Sequence, residues 1–63
     1  MSNSTAHWRA VKKIIDDNIE KYHRLQDKGD LVAAAKAMRV AHDMSVEMED
    51  NFPGFKAWWY AQQ

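Results

Sequence analysis

Few residues in this 63-residue sequence could do chemistry: Glu20 with His23, the trio His42, Asp43 and Ser45, and the isolated His7. Glu20-Lys21-Tyr22-His23 has the Glu-x-x-His spacing with which helix bundles hold paired metal ions, because residues three apart on a helix project side by side. Such ligands must point into the bundle. Glu20 and His23 instead fall on the charged side of an apolar helical stripe, so no metal is expected. His42, Asp43 and Ser45 carry the groups of a hydrolytic relay, but neighbours on one helix diverge in direction and a mid-helix serine usually bonds its own backbone. The sequence has no cysteine, which removes thiolate ligands and disulfides. Gly29 and Gly54 are isolated punctuation and form no phosphate-binding loop. The expectation is a protein that is not an enzyme and uses no cofactor.

The elements that must carry these residues read as helices. From Trp8 to Leu25 the apolar positions Trp8, Val11, Ile14, Ile15, Ile19, Tyr22 and Leu25 recur at spacings of three and four, one face of a helix. Ser4 or Thr5 can cap its start. Lys13 with Asp17, Asp17 with Lys21 and Glu20 with Arg24 form i,i+4 charge pairs on the far side, each contributing a few tenths of a kcal/mol. Gly29 suits a left-handed helix end and Asp30 the N-cap of the next helix. This second helix has a broad apolar arc: a centre line of Ala34, Ala41 and Ser45 flanked by Met38 and Met48, with Ala33, Ala37, Val40 and Met44 to one side. Lys36, Arg39, Asp43, Glu47 and Asp50 form its polar strip. Asn51 can end it in a left-handed conformation, and Pro53 biases Phe52 toward an extended one. Helices are therefore predicted at about 5–28, 31–50 and 54–62, in one small domain spanning 1–63. The fold class is all-α: an antiparallel helical hairpin with a short C-terminal aromatic helix, assembling into a helical bundle. The two long helices, roughly 36 and 30 Å at 1.5 Å per residue, return the chain's tail to the neighbourhood of Trp8 and Val11.

Nine basic and nine acidic residues balance and intersperse, leaving no basic stripe for phosphates and no acidic face imitating DNA. No apolar run reaches the roughly 20 residues of a membrane span, and the first residues lack the apolar core of a secretory leader. The expectation is a cytoplasmic protein. A domain this small buries only about 60% of its unfolded surface, so self-association or docking is the common source of extra stability.

Five of the seven aromatics, Phe52, Phe55, Trp58, Trp59 and Tyr60, lie in the last twelve residues. A helix of about nine residues does not persist alone in water, so this segment must dock. It can close the open end of the hairpin with Trp8, or it can form an interface, where Trp, Tyr, Phe and Met are enriched. Trp58 and Trp59 differ by 100° in direction and Tyr60 points away from both, so the two roles can coexist. The candidate interface residues are Trp58, Trp59, Tyr60, Phe55, Met44, Met48 and Met38. Function is expected to be stoichiometric protein binding, as an adaptor or inhibitor of a larger assembly of the kind phages and other mobile elements carry, by a homodimer or a docked monomer. The alternative is a small dimeric nucleic-acid-associated regulator.

Overall fold

In a computed structural model, which describes residues 3–62 and the side chains from Ala6 onward, the chain forms α1 (Asn3–Lys28), α2 (Leu31–Asn51) and α3 (Phe55–Ala61). It is all-α, with two long helices packed side by side and a short third one. α1 starts at Asn3, so Ser4 and Thr5 lie inside its first turn and neither holds the cap position. The turn into α2 has a local cause. Gly29 takes φ 85, the Asp30 N–H donates to Leu25 O at 2.9 Å, and the Gly29 N–H donates to Gln26 O at 3.0 Å. This is the paired-bond helix end that a left-handed glycine permits. The Asp30 carboxylate then accepts from the Ala33 N–H at 3.2 Å, and α2 begins one residue later.

The interior is narrow. Val11, Ile15, Ala34, Ala37, Ala41, Ser45, Met48 and Phe55 are buried, and three of these eight are alanines. Small side chains let the two helices approach closely, but they leave little width to cover neighbouring rows. Ile14, expected on the packed stripe, is 48% exposed. It lies beyond the Val11 edge of that stripe, and the alanines opposite do not reach it. The long helices give the molecule extents of 43 × 18 × 16 Å and a radius of gyration of 12.9 Å, against about 10–11 Å for a compact chain of this length. Its accessible surface is 4608 Å², more than the roughly 4,200 Å² of a typical folded monomer of this size.

Of two expectations about the second turn, the left-handed Asn51 is corrected and the extended Phe52 holds. α2 continues through Asn51, and among the described residues no non-glycine has a positive φ; the left-handed residue is Gly54, at φ 103. Phe52 is extended, at φ −134 and ψ 80. The Phe55 N–H donates to Phe52 O at 3.0 Å. With proline second, and glycine third at ψ −8, this is a type II turn, which needs positive φ at its third residue; glycine reaches that at no steric cost and asparagine does not. α3 leaves the turn at Phe55 and runs back across the open end of the hairpin.

On the outer faces, Lys13 meets Asp17 at 3.1 Å and Lys12 meets Asp16 at 2.6 Å, whereas Glu20 and Arg24 stay exposed.

Candidate protein-binding surface

Where α3 lands, rings from both ends of the chain meet. Trp8 of α1 stands edge-on to Phe55 and to Trp58, each at 5.6 Å between centroids, and to Phe52 at 6.4 Å. Phe55 and Trp58 lie 5.8 Å apart, and His7 adds an edge contact to Phe52 at 5.7 Å. Edge-to-face pairs at these distances set the positive rim of one ring against the negative face of the next. Phe55, fully covered at 0% exposure, joins Val11, Ile15, Ala41 and Met48 in the buried cluster against which Trp8, Trp58 and Trp59 pack. The tail therefore closes the hairpin. The Trp8 indole N–H is buried and has no hydrogen-bond partner among the described residues, so the ring is held there by packing alone.

A carboxylate fixes the entry of α3. Glu49, near the end of α2, accepts from the Lys56 N–H at 2.9 Å and from the Gly54 N–H at 3.2 Å. A helix start exposes backbone N–H groups that lack partners inside the helix, and Gly54 at the cap position has no side chain to satisfy them. Glu49 supplies that acceptor from a different helix. The N–H of Lys56, then that of Gly54, and last the Lys56 charge hold the carboxyl below its ordinary value of 4.5, against the smaller opposing effect of burial. A depressed folded value stabilises the fold fully above the unfolded value, and that stabilisation is lost as pH falls through the folded one. Glu49→Gln is expected to lower the melting temperature at neutral pH, and the gap between variant and parent is expected to close as pH falls below 4.5. Thermal melts followed by circular dichroism across pH 3–7 check this; a gap independent of pH would refute the charged clamp.

On one long side of the hairpin, α3 walls an open groove of about 310 Å³. Ile15, Ile19, Ala41 and Ser45 form its floor, with Met38, His42, Lys56, Trp59 and Tyr60 around it. Trp59 and Tyr60 stack obliquely, 5.2 Å between centroids. Tyr60 is 65% exposed.

The candidate interface residues thus separate. Trp59, Tyr60 and Met38 come together at the groove. Trp58 is half-buried within the ring cluster, and Met44 is half-buried on the other side of α2. Phe55, at the start of α3, and Met48, near the end of α2, lie in the interior in one buried cluster. The centre line of α2, Ala34, Ala41 and Ser45, is buried inside the hairpin.

The groups with chemical potential are dispersed. Glu20 and His23 are exposed on α1, with the His23 ring set against Tyr22 at 5.1 Å. The Ser45 hydroxyl donates to His42 O at 2.8 Å, so its proton is committed to its own helix. Among the described residues no three metal-ligating side chains cluster, and no described helix is long and apolar enough to cross a membrane. Lys56 and Glu49 were not singled out as site residues from the sequence, and His42 was weighed only as part of a hydrolytic trio. For Glu49 a signal existed: an acid five residues before the glycine of a Pro-Gly turn is within reach of the following helix start. No family model, curated protein or solved structure matches this chain.

Proposed function

We propose that this chain is a non-catalytic protein-binding module that acts stoichiometrically, as an adaptor or inhibitor, and works as a homodimer in the cytoplasm. One observation carries the reading: with Phe55 and Trp58 closing the hairpin, Trp59 and Tyr60 still rim an apolar groove with Met38 opposite. Tyr and Trp are the side chains most enriched at the energetic centres of interfaces, and methionine adapts to irregular surfaces. The groove's volume lies at the lower end of the range of ligand pockets, enough for a large apolar side chain of a partner segment with its flanking backbone against Tyr60. Binding of this kind needs no reacting group, and it works by occupancy.

The test places a photo-cross-linking phenylalanine at position 60 and irradiates it in the native cell. The expected product is a one-to-one adduct with a different protein, abolished when Met38→Glu puts a charge across the groove. Absence of any such adduct overturns the reading. Tyr60→Ala is expected to leave the fold within about 0.5 kcal/mol of the parent, as exposed positions do, so position 60 accepts the cross-linker, and retained helical circular dichroism of Met38→Glu shows that loss of the adduct is not unfolding.

A further inference from the structure

The other long side of the hairpin has no α3. A smaller groove of about 240 Å³ runs there between Asn18 and Lys21 of α1 and Ala33, Lys36, Ala37 and Val40 of α2. Steps of three or four residues extend these rows to Ile14 and Leu25 on α1 and to Met44 on α2. Ile14 is 48% and Val40 45% exposed, an apolar band unlike a solvated helix face. The charges beside it are sorted along its length. Asp17 and Glu47 flank the half toward the open end, Lys21, Lys28 and Lys36 the half toward the Gly29 turn, and all five are exposed; the acid in that second half, Asp30, is engaged with the Ala33 N–H as the α2 cap. Lys13, which pairs with Asp17 at 3.1 Å, sits further round the helix.

We propose that a second copy of this chain docks on this face, antiparallel, across a two-fold axis passing near Val40. A two-fold contact brings each patch against its own reverse, so the acidic half of one copy meets the basic half of the other, whereas a parallel arrangement sets like charge on like. Charge complementarity of this sort fixes register and orientation more than it adds affinity. The same operation sets Ile14 against the partner's Leu25 and Val40 against the partner's Val40. Ala33 and Ala37 let the helices come to the 8–10 Å separation of ordinary helix packing. The whole molecule measures 43 by 18 Å along its two longest axes, so a contact of the standard size, roughly 800 Å² per partner, takes up most of this long side. The product packs four long helices together, with α3 and its Trp59–Tyr60 groove on the outward side of each copy. This inference rests on the dimeric binding module proposed above and names the face and orientation of the dimer.

Sedimentation equilibrium from 1 to 100 μM tests it. The unaltered chain is expected to have the mass of two copies at the upper concentrations, and Val40→Arg to weaken association at least tenfold with its helical circular dichroism retained. Charge reversal gives the sharper result. The double variant Asp17→Lys, Glu47→Lys and the triple variant Lys21→Glu, Lys28→Glu, Lys36→Glu should each be single copies, and mixing them should restore a one-to-one dimer. A single-copy mass for the unaltered chain at every concentration overturns the proposal. So does a dimer indifferent to both reversals, or a mixture that stays apart. The two readings fail separately: a single-copy chain that still forms the position-60 adduct loses only the dimer face, and a charge-dependent dimer with no adduct loses only the partner groove.

Discussion

Phe55→Ala is expected to destabilise the chain by about 3–5 kcal/mol, the usual cost of removing a buried phenylalanine ring. At roughly 0.05–0.15 kcal/mol per residue, a domain of this length holds only about 3–9 kcal/mol in total, so the variant is expected to be largely unfolded or to keep α1 and α2 with α3 detached. Phe55 is the largest side chain in the interior and is 0% exposed. It touches the buried cluster from below and stands edge-on to Trp8 and beside Trp58, so its loss removes one side of three contacts at once. Urea denaturation followed at 222 nm gives the free energy, and tryptophan emission reports whether the indoles enter water. A cooperative transition within 1 kcal/mol of the parent would show that the tail does not hold the hairpin closed.

Ile15→Ala ranks second, at about 2–5 kcal/mol. Ile15 is 1% exposed and belongs both to the buried cluster against which the tryptophans pack and to the floor of the Tyr60 groove. Neighbouring alanines cannot expand to fill the vacated volume, and this places the cost in the upper part of that range, since the penalty grows with the cavity that remains. Its neighbour provides the control. Ile14→Ala removes a half-exposed side chain and is expected to change monomer stability by well under 1 kcal/mol, the same denaturation experiment serving for both. Equal effects at the two positions would mean that the α1 stripe is rotated from the one described.

Much of the architecture follows from short-range chemistry. Gly29-Asp30 stops one helix and starts another with their own backbone and side-chain bonds, independent of the rest of the molecule, so the hairpin was legible in the sequence. The tail's return to Trp8 was legible too, being a consequence of helix rise and length. Ile14 was misplaced because periodicity marks a face without giving its width, and that width depends on which side chains stand opposite. The second turn was misplaced because Asn51 and Gly54 both tolerate positive φ, and Pro53 decides between them by setting up a turn that needs glycine third. Tyr60 is 65% exposed, and its outward direction was legible from its place on a short helix. Phe55 and Met48 were not separable from it by residue type, because the same large apolar side chains make cores and interfaces; only the path of α3 across the hairpin assigns them to the interior. Glu49 lay outside any single-helix pattern, since it satisfies donors that belong to another element.

The ring contacts that close the open end join Trp8 to Trp58 and to Phe55, residues from opposite ends of the described chain. Synthesis proceeds from the amino terminus, so on the ribosome Trp8 emerges long before the partners that cover it. At about 5–20 residues per second, several seconds separate the synthesis of Trp8 from that of Trp58, so the indole has none of these covering rings until α3 is made.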